Sequence, residues 1–176
     1  KIIISSEPTH IYVGAALRDE ILKGVHSYSA TTTANAFALD RQILYNRFII
    51  PALRAGKTII QERGIASSLV YQPVQLEKLT LRDIMHIQGN RLAIKNSPNF
   101  LILVKANPEI IAARIKSKDT IFDKLFFQRR VEERFESEWL RKVFERFGTK
   151  VLYLDGDCSK IELKEKSLKL FQDYVL

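Results

Sequence analysis

A carboxylate and a guanidinium stand side by side where a short apolar stretch of the sequence ends. The stretch Thr58–Gln61 is predicted to be a buried strand, and Glu62 and Arg63 follow it directly. Ligands of open α/β sheets bind at the carboxyl ends of the strands, so this pair lies where a ligand is expected. Arginine offers a planar fork to phosphate oxygens, and glutamate is a hard oxygen ligand that suits Mg²⁺. The pair indicates a phosphate and metal site, and a structural ion pair is the alternative interpretation.

A second pair, Phe37 and Arg41, lies four residues apart in the predicted long helix Ala34–Arg54 and therefore on one helical face. The ring can stack on a base, and the guanidinium can donate hydrogen bonds to an exocyclic oxygen. The competing interpretation makes Phe37 a core residue and leaves Arg41 in solvent, because aromatic residues of helices are usually core. Leu39 and Ile43 are expected to point elsewhere and to serve the core.

Composition indicates one globular domain, residues 1–176, with 46% hydrophobic and 27% charged residues. No apolar run approaches the roughly 18 residues of a membrane span, so we expect no membrane association. The first residues do not form the pattern of a signal peptide. Cys158 is the only cysteine, which excludes an intrachain disulfide or a cysteine zinc site and favours a cytoplasmic location.

The net charge is +8, from 28 basic and 20 acidic residues, and this predicts an anionic ligand or partner. However, basic and acidic residues alternate along Lys116–Lys150 instead of forming a basic block. The sequence also has no RNA-binding aromatic signature and no zinc-finger spacing, so direct nucleic-acid binding is not favoured.

The elements that must position these residues alternate between strands and helices. The predicted strands are Lys1–Ser6, Thr58–Gln61, Asn99–Lys105 and Lys150–Leu154, all of them short apolar runs. Four predicted helices have approximate ranges: Val13–Leu22, Ala34–Arg54 with a kink or break at Pro51, a short helix around Ser67–Tyr71, and a long amphipathic helix over Lys124–Phe147. Three more are predicted from their start signals: a capping box at Thr80–Asp83, the pair Asn107-Pro108, and a capping box at Ser159 and Glu162. The alternation predicts an α/β fold, a doubly wound parallel sheet with helices on both faces.

The order and spacing of several motifs resemble the thymidylate kinase family. The matching segments are Phe37–Arg41 (FALDR), Ile50–Lys57 (IPALRAGK), Ile59–Arg63 (IIQER) and Ser67–Gln72 (SSLVYQ). A further match, Ser5–Thr9 (SSEPT), precedes them and has the form seen in archaeal members. Looser similarities lie at Pro108–Ile115, at Phe122-Asp123 and at Val151–Gly156. The resemblance covers essentially the whole chain and implies the P-loop nucleoside monophosphate kinase fold.

For the nucleoside, the resemblance implies that Phe37 stacks on thymine and that Arg41 binds the carbonyl edge of the base. The remaining implied contacts to the base, sugar and adjoining substrate are made by Pro8, Ser67, Tyr71 and Gln72.

For the phosphates, the resemblance implies that Arg63 holds the monophosphate and that Glu62 faces Mg²⁺. The residues implied at the lid over ATP are Arg114, Lys116 and Lys118. These roles agree with the chemistry, because phosphoryl transfer needs positioning and positive charge more than covalent help from the protein.

Three departures from the family pattern matter. Glu62 and Gly64 replace the aspartate and the aromatic residue of the D-R-Y motif, and Ser6 stands where many bacterial members carry an arginine. The P-loop pattern G-x-x-x-x-G-K-[ST] occurs nowhere, because Gly56-Lys57-Thr58 precedes a strand and position 51 is proline. In the family the P-loop lies in a strand–loop–helix unit of roughly 35 residues ahead of the segment that Lys1 begins. We expect either that such a unit precedes this sequence or that the protein lacks a P-loop, and we expect residues 1–176 alone to be inactive.

The sequence thus predicts a homodimeric kinase that converts dTMP to dTDP with ATP and Mg²⁺. The alternatives are another deoxynucleotide or deoxynucleoside kinase, since Glu62-Arg63 also resembles the E-R-S motif of the latter, and a non-catalytic nucleotide-binding relative.

Overall fold

Four strands and the helices between them carry the candidate site residues. The computed structural model of the chain describes residues 1–23, 28–74, 79–114 and 125–175, with backbone only at 112–114 and 175. The strands are β1 (Ile2–Ser6), β2 (Thr58–Glu62), β3 (Phe100–Lys105) and β4 (Lys150–Asp155). The α-helices are α1 (Tyr12–Ala16), α2 (Ala30–Leu44), α3 (Ile50–Arg54), α4 (Ile65–Tyr71), α5 (Leu81–His86), α6 (Gln88–Lys95), α7 (Pro108–Arg114), α8 (Leu125–Phe135), α9 (Glu138–Glu145) and α10 (Lys160–Val175). Every predicted strand is present within one residue of its predicted ends.

The strands form two parallel pairs. The chain divides into two compact units, unit 1 (Lys1–Ser97) and unit 2 (Pro98–Leu176). In unit 1, β1 pairs with β2, and in unit 2, β3 pairs with β4. Parallel strands alternating with helices are the α/β arrangement that the sequence predicts. The single domain over residues 1–176 remains a prediction.

The burial of β1 and β2 differs from the prediction that short apolar runs of this kind form buried strands. In unit 1, Ile4 and Ile60 lie opposite each other in register and are 80% and 44% exposed. Their neighbours Ile3 and Ile59 point to the other face and are half-buried. A short continuous apolar run predicts a strand that is buried on both faces. Within the described residues of unit 1, only one face of the strand pair is covered.

The long helix predicted over Ala34–Arg54 begins earlier and changes its geometry before Pro51. Ser29 caps its start, because the hydroxyl oxygen accepts a hydrogen bond from the backbone N–H of Thr32 at 3.0 Å. Residues Tyr45–Ile49 then form a π-helical turn between α2 and α3. Pro51 has no N–H for the carbonyl of Arg47, so the wider turn lies where the predicted kink was expected.

The prediction of a single amphipathic helix over Lys124–Phe147 is wrong. Lys124 lies outside the described residues, and the rest forms α8 and α9 with a break between them. At the break Ser137 has an extended backbone (φ −66°, ψ 139°), and its hydroxyl donates to the carbonyl of Arg134 at 2.5 Å. A serine side chain that bonds the backbone in this way competes with the helical ladder.

The predicted capping signals are present. Thr80 and Asp83 form a reciprocal capping box at the start of α5. Ser159 and Glu162 form a second capping box at the start of α10. The backbone N–H of Glu162 donates to Oγ of Ser159 at 3.2 Å, and the backbone N–H of Ser159 donates to Oε2 of Glu162 at 2.8 Å. None of the helices in the described ranges is long and apolar enough to cross a membrane.

Candidate nucleotide-binding site

Arg41 is the centre of a buried polar cluster in unit 1. Its side chain is 2% exposed, and its Nη2 lies 2.6 Å from the Oε2 atom of Glu7. The same nitrogen donates a hydrogen bond to the Oγ atom of Ser68 at 3.1 Å, and Nη1 donates to the Oδ1 atom of Asn90. The interpretation that leaves Arg41 in solvent is therefore wrong, because three elements converge on it to compensate a buried charge.

The guanidinium of Arg41 keeps a free donor. Its Nε atom is buried and has no hydrogen-bond partner among the described residues. A buried donor without an acceptor costs roughly 1–3 kcal/mol, so an oxygen brought by a ligand would remove that cost.

Glu7 is anchored from two directions. Its backbone N–H donates to the carbonyl oxygen of Glu62 at 3.0 Å, which ties the end of β1 to the end of β2. Its Oε1 atom accepts a hydrogen bond from Nε2 of Gln61 at 2.8 Å, while Oε2 faces Arg41. The carboxylate is 4% exposed and is engaged on both oxygens.

Burial also governs Tyr45, which lies beside this cluster. Loss of hydration and the negative charge of Glu7 raise the pKa of the Tyr45 hydroxyl from 10.0 to about 12, and the positive charge of Arg41 opposes that shift. The phenol is therefore neutral in the folded chain at physiological pH.

Phe37 lies one helical turn before Arg41 and is half-buried. It is neither a fully buried core residue nor a fully exposed one. Leu39 is 48% exposed, so the expectation that it serves the core is wrong. The buried stripe of α2 follows Ala34, Ala38 and Arg41, and Leu39 lies on the opposite side of the helix.

Glu62 and Arg63 lie at the carboxyl end of β2, as predicted, and both are exposed. Arg63 adopts a left-handed backbone conformation with φ 62°. Its guanidinium carbon lies 5.7 Å from the centroid of the Tyr71 ring. A residue other than glycine pays of the order of 1–2 kcal/mol for this conformation, and such strain concentrates at functional sites.

The α4 helix supplies the other predicted pocket residues. Ser67 and Tyr71 are four residues apart, so they share a face, and both are half-buried. Gln72 begins the 3₁₀ turn Gln72–Val74, is 3% exposed, and its Oε1 atom has no hydrogen-bond partner in the described part of the chain.

Pro8 is buried and follows Glu7 directly. Its carbonyl oxygen accepts hydrogen bonds from Nε and Nη2 of Arg18 at 3.1 and 2.5 Å, and the next residue, Thr9, bonds Asp40 through its N–H and its hydroxyl. These contacts fix the segment that leads from β1 to α1.

The residues predicted for the lid lie at or beyond the end of a described range. Lys116 and Lys118 lie outside the described residues, and Arg114 is the last residue of α7, with only its backbone described.

Sequence reasoning missed the supports of Arg41. Ser68 and Asn90 were given no role, and Asn90 is 49 residues from Arg41 in the chain. Glu7 was recognised only as part of the Ser5–Thr9 segment. Neither the local pattern nor the spacing of residues indicates such a long-range contact.

Among the described residues, no group of three or more His, Cys, Asp or Glu side chains could hold a metal ion. Glu7 is engaged by Arg41 and Gln61, which leaves Glu62 as the exposed carboxylate at the end of this strand pair. One carboxylate fits Mg²⁺, which commonly takes its other ligands from water and substrate phosphates.

Comparison with known proteins agrees with the resemblance found in the sequence. The family model "Thymidylate kinase" matches residues 1–166. A probable thymidylate kinase of Thermococcus kodakarensis is 31% identical over 146 residues, which cover 77% of this chain and 68% of that protein. A thymidylate kinase of Caldicellulosiruptor saccharolyticus is 26% identical over 177 residues, which cover 98% of this chain and 82% of that protein.

The fold agrees as well. The crystal structure of a thymidylate kinase from Ehrlichia chaffeensis superimposes with a TM-score of 0.68 at 18% identity, covering 97% of this chain and 80% of that one. The chain therefore belongs to the thymidylate kinase family, with the α/β fold and the phosphoryl transfer from ATP to dTMP that the sequence predicts.

Proposed function

We propose that unit 1 contains the dTMP pocket of this kinase and that Arg41 reads the base. The observation that supports this most directly is the free Nε donor of the buried Arg41. Thymine presents a carbonyl oxygen at C4, which can accept from that donor. Gln72 adds a buried acceptor, suited to an N–H group of the ligand.

Phe37 forms the stacking wall of this pocket. It precedes Arg41 by one helical turn and is only half-buried. Ser67 and Tyr71 line the base and sugar from α4, and Pro8 closes the pocket from the segment after β1.

Arg63 holds the phosphate of dTMP. Its exposed guanidinium stands at the end of β2, beside the Tyr71 ring, where a phosphate can accept two parallel hydrogen bonds. Glu62 is the residue that would hold Mg²⁺, which when bound offsets phosphate charge. Arg63 then orients the acceptor oxygen of the monophosphate, and this positioning is the main catalytic contribution of the residues in unit 1.

The donor side of the reaction is assigned from sequence alone. Arg114, Lys116 and Lys118 are the proposed lid contacts to ATP. The sequence contains no P-loop pattern, so residues 1–176 by themselves are expected to bind dTMP but to show negligible turnover.

We further propose a cytoplasmic homodimer. Apolar side chains along the long helical segment, Leu39, Phe48 and Leu53, are 45–48% exposed, and a dimer would remove such side chains from water. Static light scattering at micromolar concentration should give twice the mass of one chain, and a monomer would contradict the proposal.

The function is tested by ATP-dependent phosphorylation of dTMP, dUMP and thymidine, measured side by side on the protein as it occurs in the cell. Preferred conversion of dTMP is the expected result. Preferred conversion of thymidine would favour a deoxynucleoside kinase. Binding of dTMP without turnover would favour a non-catalytic nucleotide-binding relative.

A further inference from the structure

The guanidinium of Arg41 is held through two of its nitrogens by residues that are themselves anchored. Oε2 of Glu7 forms an ion pair with Nη2 of Arg41, and Oε1 of Glu7 accepts a hydrogen bond from Nε2 of Gln61 at 2.8 Å. Oδ1 of Asn90 accepts a hydrogen bond from Nη1 of Arg41, and Nδ2 of Asn90 donates to the carbonyl of Ile84 at 2.7 Å. The guanidinium cannot rotate without breaking its contacts to Glu7, which follows β1, and to Asn90 in α6.

We propose that Glu7 and Asn90 are positioning residues for base recognition, which hold Arg41 so that only donor hydrogens face the pocket. The inference rests on the proposed dTMP pocket and adds to it the residues that set its base preference. A fixed guanidinium offers donors and no acceptor, so it matches a carbonyl at C4 and opposes an exocyclic amine there. Arginine has a long side chain with many rotamers, and holding it in place before the ligand arrives removes an ordering cost from binding.

The competing explanation is that Glu7 and Asn90 only stabilise the fold. Glu7 balances a buried charge, and Asn90 satisfies a buried carbonyl, so removing either lowers stability in both accounts. A purely structural role would weaken the binding of every nucleotide by the same factor. A positioning role changes the ratio of affinities between two bases.

The matched ligands are dTMP and 5-methyl-2′-deoxycytidine 5′-monophosphate. They share the methyl group, sugar and phosphate and differ only at C4 and in the proton at N3. We expect the parent chain to favour dTMP by at least about tenfold, because a site built to donate hydrogen bonds rejects a donor.

The matched variants are Asn90→Asp and Asn90→Leu. Both lose the donor to the carbonyl of Ile84, but only Asp keeps an oxygen acceptor for Arg41. Positioning predicts that Asn90→Asp keeps the affinity ratio to within about threefold and that Asn90→Leu lowers it at least about tenfold. Equal ratios in the two variants would overturn the role of Asn90.

Glu7→Met tests the second contact through a different nitrogen of Arg41, because methionine has a similar length but offers no oxygen acceptor. It should also lower the affinity ratio at least about tenfold, and it should have no further effect on the ratio when combined with Arg41→Met. A ratio that Glu7→Met leaves unchanged, or an additive effect in the double variant, would overturn the role of Glu7. Either this variant or the Asn90 pair decides the inference if the other fails to fold.

Thr149→Val is the stability control. Thr149 lies in unit 2, is 2% exposed, and its hydroxyl donates to the carbonyl of Pro98 at 2.7 Å. Its loss should lower the melting temperature and leave the affinity ratio unchanged. If the parent chain itself shows no preference for dTMP, the proposed pocket fails. If the parent shows the preference and the Glu7 and Asn90 variants retain it, only the positioning role fails.

Discussion

Arg41 places a positive charge in the interior of unit 1. Its neighbours determine how much burial of that charge lowers the free energy of unfolding. Removing one member of a buried ion pair typically costs about 3–5 kcal/mol, because the other charge is left uncompensated. Glu7 supplies the opposite charge at 2.6 Å, and Ser68 and Asn90 accept further hydrogens. This arrangement stabilises the guanidinium without using its Nε donor.

Phe37→Ala tests the stacking wall. The half-buried ring is expected to contact the base, so the substitution should weaken dTMP binding by roughly 1–3 kcal/mol, as for a lost base–aromatic stack. Titration calorimetry on the parent chain and the variant measures the difference. Unchanged affinity together with a lower melting temperature would identify Phe37 as a core residue instead.

Arg63→Ala tests the phosphate contact. Because the lost interaction is charge-assisted, the variant should lose far more affinity for dTMP than for thymidine. Arg63→Lys should restore only part of the loss, since the fork geometry is missing. Equal losses for the two ligands would show that Arg63 is structural. Both variants keep a side chain at a left-handed position, so their backbone strain is matched.

The raised pKa of the buried Tyr45 hydroxyl predicts that the free energy of unfolding depends on pH. The folded chain raises the pKa of this phenol from 10.0 to about 12, mainly through burial, so the folded state holds the proton more tightly than the unfolded state does. The contribution of Tyr45 to stability is therefore complete below about pH 10 and is lost as the pH rises toward about 12. The total loss is about 3 kcal/mol.

Urea unfolding at about pH 9 and at about pH 11.5 measures this effect, with Tyr45→Phe as the comparison. Between these two conditions the parent chain should lose about 2 kcal/mol more than the variant. Other groups titrate in both proteins and cancel in the difference. Equal losses would mean that Tyr45 ionises as freely in the folded chain as in the unfolded chain.

At the scale of elements, the close approach of α2 and α6 brings Asn90 to Arg41. Gly89 precedes Asn90 in α6, and a Cβ atom at position 89 would lie 1.8 Å from the carbonyl oxygen of Ala38 in α2. Small residues at this crossing let the two backbones come close enough for the short asparagine side chain to reach the guanidinium. The placement of the Arg41 guanidinium therefore depends on the packing of α6 against α2 as well as on its own position in α2.

Gly89→Ala should push α6 away from α2 and break the contact between Asn90 and Arg41. We expect a loss of stability of roughly 1–3 kcal/mol, typical of overpacking, and a weaker preference for dTMP. Gly148→Ala is the control, because that residue has φ 80° and open space around it, so alanine adds strain without a clash. Unfolding and dTMP titration of both variants are the measurements. Equal dTMP preference in the two variants would contradict the packing argument.

The elements also show which parts of the fold were predictable. Strand positions, the capping boxes at Thr80 and Ser159, and the helix start at Asn107 follow from local sequence, and the structure confirms them. The break between α8 and α9 was missed, because it depends on the side chain of Ser137 bonding the backbone and leaves the apolar periodicity intact. The exposure of Leu39 was missed because most of the residues that α2 buries are alanine or polar, and Leu44 is the one large apolar residue among them.

At the scale of the whole molecule, the two units carry different parts of the candidate machinery. Unit 1 contains the residues proposed for dTMP, and unit 2 contains the proposed lid residues. The residues proposed for dTMP could be chosen from the sequence, because Phe37–Gln72 is a local block with fixed spacing. The buried environment of Arg41 and the left-handed Arg63 were not, because they arise from contacts between segments far apart in sequence.

The central claim is that the residues of unit 1 form a pocket that selects thymine through Arg41 and the monophosphate through Arg63. The most direct measurement is calorimetric titration of the 176-residue chain with dTMP, dCMP and thymidine under one buffer condition. We predict that dTMP binds and that dCMP and thymidine each bind at least about tenfold more weakly. Equal affinities for dTMP and dCMP, or no binding of dTMP to the folded chain, would contradict the account.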